Sequence, residues 1–224
     1  MDLTDKVVLI TGANGALGSA VAKRARALGA NLVLFDLNIP DNPEQDDQWR
    51  ELNLTDETAV NAAASQVGSV DVILHVAGGF DMGPTVYELS QASIDHLFQM
   101  NVTTFHNMAR AFIPHMIERG RGSVVTIGAL GAANGLANMS AYAVAKSALL
   151  RLTESLSAEV KNNGINVNCV LPSIIDTPAN RHAMPDEDHS TWVSLDNLAN
   201  VICFLGSESA SAIHGASLPV TGLV

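Results

Sequence analysis

Short apolar runs rich in β-branched residues alternate along the chain with longer stretches whose apolar positions recur at helical spacing. This alternation is typical of an α/β domain in which a parallel sheet is covered by helices on both faces. The predicted strands are Val7–Thr11, Asn31–Asp36, Gln48–Asn53, Val70–Val76, Gly122–Ile127, Ile165–Val170 and Ser217–Val220. The predicted helices are Gly15–Leu28, Thr55–Gln66, Ser90–Arg119, Ser140–Asn162 and Leu195–Leu205.

Two stretches depart from this alternation. The acidic segment Asn38–Asp47 carries prolines and is near the minimum length for a parallel crossover, so we expect little or no helix there. The stretch Pro172–Ser194 has weak periodicity and leaves the carboxyl end of a strand, where a doubly wound sheet binds its substrate. We predict a substrate loop at about 172–194 and no linker between domains, so that residues 1–224 form one domain.

Composition narrows the function classes. Hydrophobic residues make up 47% of the 224 residues and charged residues 16%, which indicates a globular protein. A net charge of −11 argues against a nucleic-acid partner. The N-terminus has a short apolar run and no cationic leader, so we expect no signal peptide, no membrane span and a cytoplasmic location. Cys169, Cys203 and the scattered histidines lack metal-ligand spacing, so no metal site is predicted.

The segment Thr11–Gly18 is rich in glycine and lies between a predicted strand and a predicted helix. A turn this tight needs residues without a Cβ, and the helix N-terminus that follows presents free N–H groups and a positive dipole end to a pyrophosphate. In this context the pattern predicts a Rossmann dinucleotide site. The candidate residues of this turn are Gly12, Asn14, Gly15, Ala16, Leu17 and Gly18.

Asp36 ends the second predicted strand, where a carboxylate accepts hydrogen bonds from both ribose hydroxyls and repels a 2′-phosphate. The neighbouring positions Asn14, Leu37 and Asn38 supply no Arg or Lys to offset that repulsion. We therefore predict NAD(H) rather than NADP(H) as the cofactor, with Asp36 and Leu37 at the adenosine end.

Tyr142 and Lys146 are separated by one helical turn at the start of a predicted helix, so their side chains share a face. A free phenol has a pKa of about 10 and is a poor acid or base at neutral pH. A nearby cation favours the phenolate, so we expect Lys146 to lower the pKa of Tyr142. The pair is a candidate for proton transfer.

Together these motifs resemble the short-chain dehydrogenase/reductase family over nearly the whole chain. Four further motifs carry this resemblance. Asn53-Leu54 follows the third strand and Ala77-Gly78 the fourth, Asn101 lies in the long helix, and the stretch Asn168–Thr177 includes the end of the sixth strand. It implies that Asn53 and Leu54 contact adenine, that Ala77 and Gly78 flank its ribose, and that Ile175 and Thr177, beyond Pro172, hold the nicotinamide and phosphate side. It also implies that Lys146 binds the nicotinamide ribose and that Asn101 anchors a water in a proton relay.

Three positions depart from the family pattern. Ala129 stands where the family carries a serine that hydrogen-bonds the substrate oxygen, and Gly128–Ala133 offers no hydroxyl in its place. Val76 and Ser173 replace a usual Asn and a usual Gly. Because losing one such donor costs about 10²–10³ in rate, we expect simple alcohols and ketones to be poor substrates.

One branch of the family, dihydropteridine reductase, resembles this chain in its small size, the Val76–Gly79 segment, the alanine in place of serine and the stretch Val170–Pro185. A quinonoid pterin takes its proton at nitrogen, so it dispenses with an alkoxide-stabilising serine. By contrast, Asn101 and the C-terminal Gly215–Gly222 segment resemble the general bacterial reductases more closely.

These features predict an NADH-dependent oxidoreductase that transfers hydride to a carbonyl or conjugated imine-type acceptor, with Tyr142 as proton donor and no catalytic serine. Two alternatives stay open, a quinonoid dihydropteridine reductase and a non-catalytic NAD(H)-binding sensor. The partner we expect is a small-molecule substrate. The apolar surface of the helices Ser90–Arg119 and Ser140–Asn162, which pair between subunits in the family, predicts a homodimer or homotetramer.

Overall fold

A computed structural model describes all residues, 1–224. The expected sheet is confirmed: seven parallel strands lie in the order β3-β2-β1-β4-β5-β6-β7. The strands are β1 (Val7–Thr11), β2 (Asn31–Asp36), β3 (Gln48–Glu51), β4 (Val72–His75), β5 (Gly122–Ile127), β6 (Ile165–Pro172) and β7 (Ser217–Val220). Because the chain returns to the other side of β1 to form β4, the switch point of the sheet lies between these two strands.

Helices cover both faces of the sheet. They are α1 (Ala16–Ala27), α2 (Glu57–Val67), α3 (Gln91–Phe98), α4 (Thr104–Arg119), α5 (Ser140–Val160), α6 (Pro178–Ala183) and α7 (Leu195–Gly206). Apolar side chains of α1 and α7 pack on one face, and those of α2, α4 and α5 on the other, so two buried clusters flank the strands. This accounts for strands that are apolar at successive positions, such as Val8, Leu9 and Ile10, which are all fully buried.

Local side chains set several helix starts. The Asp56 carboxylate caps α2 by accepting from the Ala59 N–H, and the Ser90 and Ser194 hydroxyls cap α3 and α7 in the same way. No side chain caps α1, which follows the glycine-rich turn, so its first N–H groups are left for another partner.

The observed elements differ from the predicted ones in a few places. The predicted helix Ser90–Arg119 is interrupted by a π-helical turn at Gln99–Thr103, and the predicted irregular stretch 172–194 contains α6 and a short 3-10 turn at His189–Thr191. Strands β3 and β4 are shorter than expected, and β6 runs two residues further, to Pro172, because it pairs with β7 up to Val220. As predicted, the crossover from β2 to β3 has no helix.

None of the helices combines the length and the hydropathy that crossing a bilayer would require.

Candidate active site

The glycine-rich turn packs against the end of β4 at the carboxyl edge of the sheet. Gly12 has a φ of +65°, and a Cβ there would lie 2.9 Å from Ala77 Cα. A Cβ on Gly18 would lie 1.9 Å from the Gly12 carbonyl oxygen, so α1 starts against the turn itself. The glycines of this turn therefore form a cradle that side chains would fill, at the switch point between β1 and β4. Asn14, Gly15, Ala16 and Leu17 complete the turn into α1.

The Asp36 carboxylate lies beside this turn. Its Oδ2 accepts from the Asn14 N–H at 2.9 Å, and its Oδ1 accepts from the Asn38 N–H at 3.3 Å. The side-chain amide of Asn14 also donates to the Asn38 carbonyl, at 3.2 Å. Leu37 projects into solvent and is 60% exposed. The carboxylate is thus held at the mouth of the turn without a basic side chain at 14, 37 or 38.

Past β3, the two residues predicted at the adenine differ in burial. Asn53 is exposed, and its Oδ1 accepts from the Thr55 N–H at 3.0 Å and hydroxyl at 2.8 Å. Leu54 is buried, and its carbonyl accepts from the Asn107 side-chain amide at 2.9 Å. Asn107 lies in α4 and fixes this loop from beneath. Sequence reasoning missed it, because nothing in helical spacing shows which loop carbonyl a buried amide reaches.

Asn101 holds the segment that follows β4. It lies in the π-helical turn and is fully buried. Its Oδ1 accepts from the Gly79 N–H at 3.1 Å, and its amide donates to the Gly79 carbonyl and to the Leu97 carbonyl, each at 3.0 Å. A Cβ on Gly78 would lie 2.7 Å from Asn101 Oδ1 and 3.2 Å from Lys146 Nζ. The structure therefore brings Ala77–Gly78, Asn101 and Lys146 together from three distant points in the chain.

Tyr142 and Lys146 lie on one face of α5, with Nζ 6.0 Å from the centre of the tyrosine ring. The Lys146 ammonium is buried and donates to the Ile127 carbonyl at 2.8 Å, which leaves its other N–H donors for the cleft. Burial lowers the pKa of Lys146 to about 8.

The expected lowering of the Tyr142 pKa is wrong. Burial instead raises the pKa of Tyr142 to about 12, because removing the phenolate from water outweighs a cation at this distance. At neutral pH Tyr142 is therefore a phenol, which can donate a proton.

The segment around Ala129 carries no hydroxyl of its own, and the hydroxyl of Ser147, which contacts the turn after it, donates to the Ala132 carbonyl at 2.8 Å. Ala129 precedes the 3-10 turn Leu130–Ala133. Ser140, the nearest serine in sequence, has a buried Oγ without a hydrogen-bond partner, and it lines a cavity of about 20 Å³ between α3 and α5, together with Ser93 and Asn138. No hydrogen bond joins this hydroxyl to Tyr142 or Lys146.

Apolar side chains lie at the mouth of the cleft. Phe80 packs edge-on to Tyr142 with ring centres 4.9 Å apart and remains 56% exposed. Met82 and Leu136 are also largely exposed, and the Gly83 N–H donates to the Asn138 carbonyl at 2.8 Å, which ties the two loops together.

The segment after β6 covers the same edge. Pro172 ends β6, and Ile175 forms an isolated bridge with Val193. The Thr177 hydroxyl caps α6 by accepting from the Asn180 N–H at 3.1 Å. Arg181 binds Asp176 through two hydrogen bonds, of 2.5 and 2.7 Å. These contacts build a short ordered cover where the sequence indicated an irregular loop.

A second cavity, of about 180 Å³, lies at the opposite edge, where the strands begin. Its charged side chains are largely paired: Lys6 binds Glu208 at 2.7 Å, and Asp71 contacts Arg119 at 3.2 Å and Arg121 at 3.7 Å. We assign no ligand to it. No group of three His, Cys, Asp or Glu side chains that could hold a metal occurs in the structure.

The residues at the carboxyl edge fit a dinucleotide. The glycine cradle and the uncapped start of α1 suit a pyrophosphate, the Asp36 carboxylate suits ribose hydroxyls, and the Lys146 ammonium has donors to spare beside Gly78.

Comparison with known proteins supports the same conclusion. A family model described as enoyl-(acyl carrier protein) reductase matches residues 12–222. The rat protein "Dehydrogenase/reductase SDR family member 6" is 25% identical over 98% of this chain and 97% of its own length. The chain therefore belongs to the short-chain dehydrogenase/reductase family, whose members are oxidoreductases that use a nicotinamide cofactor. The expected family is confirmed; the dihydropteridine reductase branch stays a prediction.

Two further relatives show how wide this similarity is. The 7alpha-hydroxysteroid dehydrogenase of Escherichia coli K12 is 28% identical, over 98% of this chain and 94% of the relative. The solved structure of ElxO with NADP bound superimposes with a TM-score of 0.90 at 22% identity, over 98% of each chain. The second likeness concerns the fold alone, so the choice between NAD and NADP is left to the site residues.

Proposed function

We propose that the protein is an NADH-dependent reductase that transfers hydride to a carbonyl or conjugated imine-type acceptor, with Tyr142 as proton donor. One observation carries this proposal: Tyr142 and Lys146 share a face of α5, and Lys146 Nζ reaches the Gly78–Asn101 junction at the carboxyl edge of the sheet. A tyrosine kept as a phenol at the edge that suits a dinucleotide is placed to act as an acid.

The cofactor site proposed here extends across the ends of β1, β2, β3, β4 and β6. Gly12–Gly18 would hold the pyrophosphate, Asp36 and Leu37 the adenosine ribose, and Asn53 and Leu54 the adenine. Ala77 and Gly78 would flank that ribose, and Lys146 would bind the nicotinamide ribose with its free donors. Pro172, Ile175 and Thr177 complete the proposed set on the nicotinamide side. When bound, NADH supplies the hydride.

The choice of NADH over NADPH follows from charge. The Asp36 carboxylate is fixed by the Asn14 and Asn38 N–H groups, so it has little freedom to swing away from a 2′-phosphate. No cation stands at 14, 37 or 38 to bind that phosphate. A dianionic group there would meet a carboxylate without compensation, whereas ribose hydroxyls would donate to it.

The proton step uses the chain's own side chains. Tyr142 holds its proton at neutral pH because burial raises its pKa to about 12, so it donates once the acceptor atom gains negative charge. Lys146 is protonated below about pH 8, and its positive charge stabilises the phenolate that remains. Asn101 would anchor the water that returns a proton to this pair, with its side chain already fixed on Gly79.

The proposed class of acceptor follows from the lack of a hydrogen-bond donor at Ala129. A methyl group donates no hydrogen bond, and the hydroxyl of Ser140, the nearest serine in sequence, is buried. An acceptor protonated at a conjugated nitrogen needs no second donor, whereas a simple ketone loses about 10²–10³ in rate without one. This favours a planar, conjugated acceptor beside the Phe80 and Tyr142 rings. A quinonoid dihydropteridine is the alternative that meets the same condition.

A second candidate function is an NAD(H)-binding sensor without turnover. Ala129 is the observation in its favour, because the loss of a substrate-binding hydroxyl is compatible with a site that has stopped reacting.

An NADH-oxidation screen against quinonoid dihydropterin, quinones and small ketones separates these functions. The proposal expects the conjugated acceptors to turn over and the small ketones to react slowly. Tight NADH binding without turnover on any of them would favour the sensor. Turnover of quinonoid dihydropterin alone would single out the pteridine reductase.

Assembly into a homodimer or homotetramer is part of this proposal. Phe98, Ile117 and Val144 are apolar and 41, 39 and 57% exposed on α3, α4 and α5. Burial of such side chains in a subunit interface would be favourable. Light scattering tests this point, and a monomeric mass would reject it. A small-molecule substrate covered by residues 172–194, a cytoplasmic location and the lack of a nucleic-acid partner stay predictions from the sequence.

A further inference from the structure

His75 is the last residue of β4 and lies completely buried beneath the candidate cofactor site. Its Nδ1 is 3.0 Å from the Thr11 hydroxyl, and its Nε2 is 3.4 Å from the Thr104 hydroxyl. The ring packs on Phe105, with centres 5.3 Å apart. The sequence predicts no metal at this histidine. Its two polar partners belong to two different parts of the site.

The surrounding donors and acceptors determine where the imidazole proton lies. The Thr104 hydroxyl donates to the Met100 carbonyl at 2.8 Å, so towards His75 it can only accept. Nε2 must then carry the proton, and Nδ1 accepts from the Thr11 hydroxyl. The Thr11 oxygen in turn accepts from the Ala77 N–H at 3.1 Å. A neutral imidazole with its proton on Nε2 therefore gives the ring nitrogens and both threonine hydroxyls their hydrogen-bond partners.

Each side of the imidazole supports one part of the site. Through Thr11, the Nδ1 side fixes the Ala77 N–H, and Ala77 is the residue that the Gly12 cradle touches. Through Thr104, the Nε2 side reaches Met100 in the π-helical turn, next to Asn101. Asn101 then returns to Gly79, two residues beyond Ala77. These contacts form a closed network, in which His75 connects the Thr11 side to the Thr104 side.

We propose that neutral His75 is a positioning residue that couples the glycine-rich turn to the π-helical turn. Its Nδ1 contact sets the geometry for cofactor binding, and its Nε2 contact sets the position of Asn101 for the proton relay. The second half rests on the proposed function, whereas the first half and the position of the imidazole proton do not.

Two amide substitutions separate these contacts. An Asn amide lies where Nδ1 is, so His75→Asn retains the Thr11 contact and loses the Thr104 contact. A Gln amide reaches the place of Nε2, so His75→Gln does the reverse. Since one hydrogen bond contributes a few-fold to about 10-fold, we expect His75→Asn to lower kcat by that factor with an unchanged Kd for NADH. We expect His75→Gln to weaken NADH binding by a similar factor, with kcat at saturating NADH retained.

Thr11→Val and Thr104→Val are the matched variants, because each removes one hydroxyl and keeps the branched shape. Thr11→Val should reproduce His75→Gln, and Thr104→Val should reproduce His75→Asn. Kd is measured by NADH fluorescence, kcat with the best acceptor from the screen, and Tm alongside both. A purely structural histidine predicts the opposite pattern: equal changes of Kd and kcat in all four variants that follow the fall in Tm. That pattern would overturn the proposal.

Nitrogen-15 spectra of the wild-type imidazole decide the question without any substrate. The proposal expects a neutral ring protonated at Nε2 that does not titrate between about pH 5 and pH 8. A ring protonated at Nδ1, or one titrating near its ordinary pKa of 6.5, would contradict it. If the acceptor screen finds no turnover, the proposed function fails, while the spectra and the NADH affinities of His75→Gln and Thr11→Val still test the coupling.

Discussion

The cofactor side and the acceptor side of the cleft are built differently. On the cofactor side, backbone segments at the ends of β1, β3 and β4 are held by buried side chains, among them His75, Asn101 and Asn107. On the acceptor side, the loops around Phe80 and Leu136 expose apolar side chains, and Ala129 supplies no hydrogen bond. We propose that the first side selects a dinucleotide by its fixed backbone geometry, whereas the second selects a planar, conjugated acceptor by its apolar side chains and its lack of a donor. Substitutions on the two sides test this contrast.

The largest effect is expected from Tyr142→Phe, which removes the proposed acid and keeps the ring. General acid catalysis contributes about 10²–10⁴ in rate, so turnover should fall by that factor while the Kd for NADH stays the same. Stopped-flow NADH oxidation and a fluorescence titration measure the two quantities. Tyr87→Phe is the control, because Tyr87 is 85% exposed and should change neither. Normal turnover of Tyr142→Phe would remove Tyr142 from the mechanism.

The next effect concerns the cofactor side. Combining Asp36→Ser with Leu37→Arg removes the repulsion of a 2′-phosphate and adds a partner for it. The ratio of NADPH to NADH affinity should rise by about 10²-fold, as expected for one or two charged hydrogen bonds. Glu51→Ser is the matched variant, because Glu51 pairs with Asp36 in the register of β3 on β2. An equal shift in Glu51→Ser would mean that general negative charge, and not the position of Asp36, sets the preference.

A smaller effect should follow on the acceptor side. Ala129→Ser returns a hydroxyl to the position where the family has one, so reduction of a simple ketone should rise by at least about 10-fold, a part of the roughly 10²–10³ that one such donor contributes. NADH affinity should not change. Ala133→Ser, in the exposed part of the same 3-10 turn, serves as control. If ketone reduction does not increase, Ala129 does not face the acceptor, and the reason given for the acceptor class is lost.

The smallest effect is one on stability, and it comes from lowering the pH. Burial, with a further contribution from the positive charge of Lys146, lowers the pKa of His75 from 6.5 to about 3. Between these values the unfolded chain binds a proton that the folded protein does not, so the free energy of unfolding falls as the pH falls. From about pH 7 to about pH 5, His75 should account for a loss of about 2 kcal/mol.

Urea unfolding at both pH values measures this loss. The difference should disappear in His75→Asn and persist in His106→Asn, whose histidine is exposed on α4. An identical pH dependence in wild type and His75→Asn would show that His75 is protonated in the folded state as readily as in the unfolded one.

Sequence reasoning reached those features that depend on chain order. The seven parallel strands and the glycine-rich turn between β1 and α1 follow from the hydrophobic pattern, and the nearness of Asn101 to Lys146 agrees with the family resemblance. The direction of the Tyr142 pKa shift could not be foreseen, because it depends on how deeply neighbouring loops bury the ring. The same holds for the burial of the Ser140 hydroxyl and for the partners of His75, because both depend on how the helices pack on each other and on the sheet.

The most direct test of the central claim, an NADH site completed by Tyr142 as acid, is a crystal structure of the complex with NADH. The account predicts hydrogen bonds from the adenosine ribose hydroxyls to Asp36 and from Lys146 Nζ to the nicotinamide ribose. It also predicts that the Tyr142 hydroxyl faces the acceptor space above the nicotinamide ring. A ribose turned away from Asp36, or a nicotinamide ring out of reach of Tyr142, would contradict it.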